Sequence, residues 1–313
     1  MKLDPASDPE VRRSGIGASD AAKIVGLSRF GDAIGLYMEK IGMTAPLVET
    51  GPMRWGKILE EPIAREYGAQ TGRRVWRKPD TIRHPDTPFI YCHLDRLAKG
   101  KGEPTRVLEV KTAGVYGASE FGEPGTDQVP ADYLLQVQHQ LGVTGHTVGD
   151  LAVLIGGQKF VIFTIERDDR LIDDLFMAEA RFWTDYVVPR IPPPMDGSAG
   201  ASDYLAAKFR DEGITIEAPE SLQSLAWEYR AALEMEKSAT TSKAEIGNRI
   251  RSAMGDANIA VGGDVKITYR EIKTTRTDWQ GVVKASTIPP EVIAEYTAIT
   301  SSQRLSVTVK EPA

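Results

Sequence analysis

The chain has 313 residues, 41% of them hydrophobic and 26% charged, with 38 basic and 44 acidic side chains and a net charge of −6. That is the composition of a soluble globular protein with one large domain, or one and a smaller one, and its acidic balance argues against a surface that coats nucleic acid throughout. A single cysteine, Cys92, excludes an internal disulfide, a cysteine zinc site and a protein-ligated iron–sulfur cluster.

No run approaches the roughly 18 apolar residues of a membrane span. The N-terminal MKLDPASDPEVRRSG lacks the apolar core of a signal peptide, so a cytoplasmic setting is expected. Ser19 and Asp20 can cap a short helix ending near Gly26. A second helix is predicted over Asp32–Ile41, and a longer one over Met53–Gln70 with Trp55, Ile58, Leu59, Ile63 and Tyr67 on its core face. Strand patterns follow at Arg74–Arg77, Phe89–Ala98 and Arg106–Thr112, then a Gly/Pro-rich loop, Val115–Val129. A helix over Ala131–Val143, a hairpin of Asp150–Ile155 and Phe160–Ile165 across Gly156-Gly157, and a helix over Asp168–Val187 complete the series. This order predicts an α/β (α+β) layer, a mixed β-sheet flanked by helices. Trp55, Trp183 and Trp227 fall on apolar helical faces and are expected in cores.

The run Pro189-Arg190-Ile191-Pro192-Pro193-Pro194 and the small polar residues after it read as a linker or a strap across a surface. The expected domains are therefore 1–188, a linker at 189–202, and a smaller C-terminal α+β region at 203–313. In that region Pro219–Met254 reads as a long amphipathic helix or a hairpin of helices. Asp264–Glu271 alternates like a strand, with the tail Arg304–Val309 as its expected partner.

The chemistry concentrates on the strand meander. Glu109 and Lys111 are two apart and point to one face of their strand, with Val110 turned to the other. Asp95, on the preceding strand, can stand beside Glu109. Two converging carboxylates suit magnesium, which takes one or two carboxylates and keeps waters for a phosphate substrate, and a lysine can orient the attacking water. The same pattern also describes an amphipathic strand with a surface ion pair. Glu60, on the long helix beside Glu61, either completes the acid cluster or faces solvent. Gln136 and Gln138, on the helix after the meander, either hold a phosphate or lie on a surface. Arg73, Arg74, Arg77, Lys78, Lys99 and Lys101 either line a basic groove, with Trp76 or Tyr116 stacking on DNA, or form a solvated face. No histidine pair with zinc-hydrolase spacing and no phosphate-binding GxxxxGK[ST] loop is present.

In chain order stand Gly15-Ile16-Gly17-Ala18-Ser19-Asp20, Trp55-Gly56 with Glu60, His93-Leu94-Asp95, Leu108-Glu109-Val110-Lys111-Thr112, and Gln136-Val137-Gln138-His139. Together they resemble the YqaJ-type viral recombinases, relatives of phage lambda exonuclease in the PD-(D/E)XK nuclease superfamily, over residues 12–188. The resemblance implies a restriction-endonuclease-like core and a metal-dependent deoxyribonuclease. It would digest linear double-stranded DNA from 5′ to 3′ and leave 3′ overhangs for recombination by strand annealing. It implies Asp95, Glu109 and the Val110 carbonyl as Mg2+ ligands (Mn2+ as a substitute) and Glu60 as the helical acidic residue of the site. Lys111 would be the catalytic lysine. Gln138, with Gln136 as second choice, would be the glutamine near the scissile phosphate. Arg12 and Ser19 fall where the exonuclease has a 5′-phosphate pocket, and Arg13 adjoins Arg12. Implied partners are double-stranded DNA ends, a single-strand annealing protein and further copies of this chain, a trimer by family analogy, in the cytoplasm of a bacterial host. The sequence departs from the family at His93-Leu94-Asp95-Arg96, where Ser-Pro-Asp-Gly is common. Two other readings stand beside this one: a structure- or sequence-specific endonuclease on the same core, and a catalytically silent DNA-binding scaffold.

Overall fold

Three apolar strand patterns in the middle of the first 166 residues build the sheet that positions everything else. In the computed structural model, residues 8–44, 49–209, 212–276, 278–279, 281–282 and 288–295 are described. The sheet has six strands: β1 (Ile16–Gly17), β2 (Arg74–Arg83), β3 (Ile90–Lys99), β4 (Arg106–Ala113), β5 (Val148–Ile155) and β6 (Lys159–Glu166). β2–β3–β4 are antiparallel, β4 and β5 are parallel, and β5–β6 is an antiparallel hairpin. The helices are α1 (Pro9–Arg13), α2 (Ala21–Ile24), α3 (Ala33–Lys40), α4 (Gly51–Thr71), α5 (Ala131–Thr144) and α6 (Asp169–Arg181), which runs into a π-helical turn, Phe182–Val187. The mixed sheet flanked by helices matches the expected class.

Alternation along each central strand divides the core in two. Val107, Leu151, Val153 and Phe163 face Val137 and Leu141 of α5. Leu108, Val110 and Ala152 face Ile63, Ala64 and Tyr67 of α4. Burial of such side chains contributes about 1.5–3 kcal/mol each. At one crossing the chain tolerates only glycine: a Cβ on Gly15 would lie 1.9 Å from the Phe89 carbonyl oxygen.

The ladders on β3 create a gap. Tyr91 pairs with both Gly17 and Arg83, while Leu97 and Ala98 pair with both β2 and β4. A residue has one partner per edge, so β1 and β4 share the edge of β3 opposite β2. On that edge the β4 ladder covers only Arg96–Ala98 and the β1 ladder only Ile90 and Tyr91, which leaves 92–95 without a strand partner there. On the other edge β3 advances three residues, Leu94 to Leu97, where β2 advances two, Trp76 to Lys78. This is a bulge next to Asp95, a device that re-aims a side chain.

Three expectations need correction. The segment after the prolines is not a free linker. The first compact unit extends to Phe209, and α7 (Ala199–Lys208) packs on α3, with Ala201 and Tyr204 buried beside Tyr37. Asp32 joins the two helices, accepting from Gly35 N of α3 (2.7 Å) and from Gly200 N of α7 (2.9 Å). Trp55 and Trp227 are exposed, at 60% and 44%, rather than in a core. Only Ile63, Ala64 and Tyr67 of α4 are buried, with Leu59 packed beside them, and the first two turns before Leu59 are largely exposed. Pro62, which cannot bond the carbonyl one turn back, lies just before the buried stretch. Trp183 does pack, stacking on Phe89 at 5.6 Å.

In the second unit, α8 (Glu220–Met254) is one continuous helix with no buried residue, and β7 (Ile259–Gly262) pairs with β8 (Val265–Thr268). The partner of the expected strand is thus the segment just before it. The tail at 304–309 lies outside the described residues.

Candidate active site

The gap in the β3 edge is filled from α5. Its side chains bond carbonyls of β3 within the gap and at its margin: Gln140 Nε2 donates to the His93 oxygen at 3.3 Å, and His139 Nε2 stands 2.8 Å from the oxygen of Tyr91, the last residue of the β1 ladder. Asp95 replaces a ladder bond with its own carboxylate, its Oδ2 accepting from Val110 N at 2.8 Å. The strands are therefore splayed at the point where the two carboxylates meet.

Glu109, almost fully buried, is held on both oxygens. Its Oε1 accepts from Lys111 Nζ at 2.5 Å and from Gln136 Nε2 at 2.6 Å, and its Oε2 accepts from Gln140 Nε2 at 2.7 Å. A carboxylate has about four lone-pair directions, so about one remains on Glu109, and Asp95 keeps more. Burial first, then the Glu109 and Glu60 charges, push the Asp95 carboxyl well above its ordinary range. Burial alone would lower the Lys111 ammonium; Glu109 and Asp95 overcome it and hold Lys111 protonated well above its usual value. The Lys111 ammonium also lies 5.3 Å from the centre of the Tyr133 ring.

Glu60 is next to the pair but not open to it. Arg96 donates to Glu60 and to the Asp95 carbonyl from one nitrogen, and from the other to Glu61 Oε2 at 2.9 Å. Among the described residues no group of three His, Cys, Asp or Glu side chains forms a metal cluster. The donor set that fits a cation is thus Asp95, Glu109 and the Val110 carbonyl. Two carboxylates beside a lysine fit magnesium, which retains several waters.

The structure separates the two glutamines of the sequence pattern. Gln138, expected nearest the scissile phosphate, points the other way. Its amide bonds the Glu166 carbonyl at 2.7 Å and Asp168 N at 3.0 Å, tying α5 to the entry of α6. Gln136 meets Glu109 instead. Sequence reasoning missed Gln140, although its spacing gives it away: residues four apart share a helix face, whereas residues two apart do not. Both Gln140 amide hydrogens are used, and its Oε1 is buried with no hydrogen-bond partner.

Arg12 and Ser19 belong to a second cluster, around Asp20 beside Tyr91. Buried Asp20 accepts from Lys40 Nζ at 2.6 Å, Gly17 N at 3.2 Å, Lys23 Nζ at 3.3 Å and Arg12 at 3.5 Å. Burial would raise its carboxyl, but Lys40, Lys23 and Arg12 hold it far below the usual range. Arg12 also binds Glu39 at 2.7 Å and keeps 30% of its side chain exposed. Ser19 is exposed on the adjoining turn, and Arg13 is exposed and donates to the Pro9 carbonyl at 3.1 Å. Cys92 is buried, and burial pushes its thiol up to about 12, with Glu109 adding to the shift.

Residues 9–147 match the YqaJ-like viral recombinase domain. The chain is 34% identical over 273 residues to the Bacillus subtilis (strain 168) protein YqaJ, covering 85% of this chain and 83% of that one. The chain belongs to the YqaJ family. Among solved structures similar to this YqaJ-family chain is the alkaline exonuclease LHK-Exo from Laribacter hongkongensis. It is 21% identical, with a TM-score of 0.45, and the match covers 58% of this chain and 92% of that one. A phage-related exonuclease from Haemophilus somnus 129PT is 13% identical with a TM-score of 0.44, covering 56% and 96%. No helix among the described residues is long and apolar enough to cross a membrane.

Proposed function

We propose that this YqaJ-family chain is a metal-dependent deoxyribonuclease whose centre is Asp95, Glu109 and Lys111. The observation that supports this reading is the opened strand pair. Asp95 and Glu109 converge where β3 and β4 separate, with a protonated lysine bonded to one of them. A purely structural ion pair has no need of a second carboxylate, half-buried beside Glu109, whose ionisation Glu109 opposes.

Asp95 and Glu109 supply the negative charge for a divalent ion, with the Val110 carbonyl as a third oxygen. When bound, magnesium or manganese supplies charge that stabilises the phosphate oxygens as the bond to the leaving oxygen breaks. Lys111 holds its proton on Nζ, so in the metal-free protein it is a hydrogen-bond donor and not a base. It orients the attacking water or a phosphate oxygen through that donor. Gln136 and Gln140 fix the Glu109 carboxylate in plane. Glu60 adds negative charge behind Asp95, balanced by Arg96.

The family resemblance extends the reading to digestion from 5′ to 3′ of linear duplexes, leaving 3′ overhangs for an annealing partner. It also extends it to a ring of three copies around DNA. Arg12, partly exposed beside Ser19, is the group suited to a terminal phosphate. The test is cleavage of linear duplex DNA by the whole chain with Mg2+, with EDTA, and with a Lys111→Ala variant. Loss of DNA that requires both metal and Lys111 is the expected result. DNA left intact with Mg2+ and also with Mn2+ overturns the reading.

A further inference from the structure

We infer that Arg74, Trp76, Lys99 and Lys101 form a binding surface for a single DNA strand, apart from the carboxylate centre. That the strand is substrate or product rests on the nuclease reading; the affinity itself does not.

These four residues and Gly100 line a cleft of about 440 Å³ at the end of the β2–β3 pair. Arg74 stands opposite Lys99 and Trp76 opposite Leu97 across the ladder, so the register itself brings the cations and the indole together. The Arg74 guanidinium lies 5.9 Å from the centre of the Trp76 ring. Arg74, Lys99 and Lys101 form no ion pair among the described residues. Their neighbours do: Arg73 with Glu103 at 2.7 Å, Arg77 with Glu61 at 3.2 Å and Lys78 with Asp80 at 2.6 Å. The Glu103 carboxylate lies beside Gly100 but is already paired with Arg73 and with Arg106 at 3.8 Å. Three cations with no ion pair among the described residues, on one edge of a chain of net charge −6, are a local anion site.

Charge alone would suit any phosphate. The half-buried indole selects among them, because bases stack on an aromatic ring only when they are unpaired. A duplex would meet the cations and leave Trp76 unused. The cleft is also well placed. Trp76 packs against the α5-side core, on the sheet face that carries Glu109. Lys99 follows Asp95 on β3 by four residues, about 13 Å at about 3.3 Å per residue. A strand threaded past the carboxylates reaches it within a few nucleotides.

The test is binding of a fluorescein-labelled oligothymidylate to the whole chain in EDTA, read by anisotropy over a salt series, with a blunt duplex of equal length as competitor. The triple variant R74E/K99E/K101E is expected to lose at least tenfold in affinity. Its log–log salt slope should fall by about 2, since each phosphate contact on a single strand contributes about 0.7. Trp76→Leu, which keeps the apolar packing, is expected to weaken binding roughly fivefold or more with the slope unchanged. Thermal melting of each variant checks the fold. Wild-type affinity in both variants, or a duplex that competes better than unlabelled strand, overturns the proposal. Cleavage assays on the same proteins separate the two readings. If the patch variants lose strand binding while even wild type cleaves nothing, the nuclease reading fails and this one stands. Lys111-dependent cleavage with unchanged strand binding in the patch variants gives the reverse.

Discussion

Replacing Gln140 by methionine keeps the side-chain volume and removes one hydrogen bond to the buried Glu109 carboxylate. That bond is 2.7 Å long, Glu109 is 2% exposed and Gln140 is fully buried. A hydrogen bond to a charged group contributes about 1.5–3 kcal/mol, and about 1.4 kcal/mol is tenfold in an equilibrium constant. Groups that orient a metal-binding side chain typically set affinity by about 10- to 100-fold. Gln140→Met is therefore expected to raise the Mg2+ concentration for half-maximal cleavage by about 10- to 100-fold, with the rate at saturating metal changed far less. The cost in stability is softened because Gln140 Oε1 already lacks a partner. Gln138→Met is the control. It breaks the tie from α5 to the Glu166 carbonyl and Asp168 N, so it should lower the melting temperature and leave the metal requirement alone. The assay is a metal titration of cleavage, beside isothermal calorimetry with Mn2+. An unchanged metal requirement in Gln140→Met, or an equal shift in Gln138→Met, refutes the assignment of Gln140 to Glu109.

Further outcomes follow from the other buried groups. Asp20 is held below its ordinary range, so its contribution to stability is complete above about pH 4, the usual aspartate value, and declines as pH falls through the lowered one. Urea midpoints should drop between about pH 5 and pH 2, less steeply in Asp20→Asn; parallel profiles would contradict this. Asp20→Ala, which strands fully buried Lys40, should cost about 3–5 kcal/mol in denaturant titrations. Tyr204→Ala, on the segment expected to be a linker, should cost about 3–5 kcal/mol because Tyr204 packs edge-on to Tyr37 at 6.0 Å; a change within 0.5 kcal/mol, the scale of a surface substitution, would make that packing incidental. Cys92, with its thiol pushed up to about 12, should react with a thiol reagent at pH 8 only as fast as the protein unfolds, giving one thiol per chain in denaturant.

Much of this was legible in the sequence because local patterns carried it. The second half of the α4 stripe, with Ile63 and Tyr67 buried as expected, and the alternation in Leu108–Thr112 each fix an element and its inward face. Asp95, Glu109 and Lys111 were likewise readable, since strand alternation and one hairpin bring them together. Long-range facts were not. Nothing local to Trp55 says that the first two turns of α4 are largely exposed, so a helical apolar stripe looked like core. The docking of α7 depends on Asp32, 168 residues from Gly200, a separation no pattern reveals. Gln138 was preferred to Gln136 by likeness rather than by helix phase; the phase, once applied, selects Gln136 and Gln140. The bulge beside Asp95 arises from a register change against β2 that depends on two strands at once.

Cleavage of DNA from an end by the proposed Asp95–Glu109–Lys111 centre is tested most directly with two substrates. Purified whole chain is mixed with Mg2+ and two DNAs, a linear duplex with 5′-phosphates and a closed circle, with and without EDTA and beside Lys111→Ala. Loss of the linear DNA alone, abolished by EDTA and by the variant, is the predicted result. Cutting of the closed circle, or an intact linear duplex with Mg2+ and with Mn2+, contradicts it.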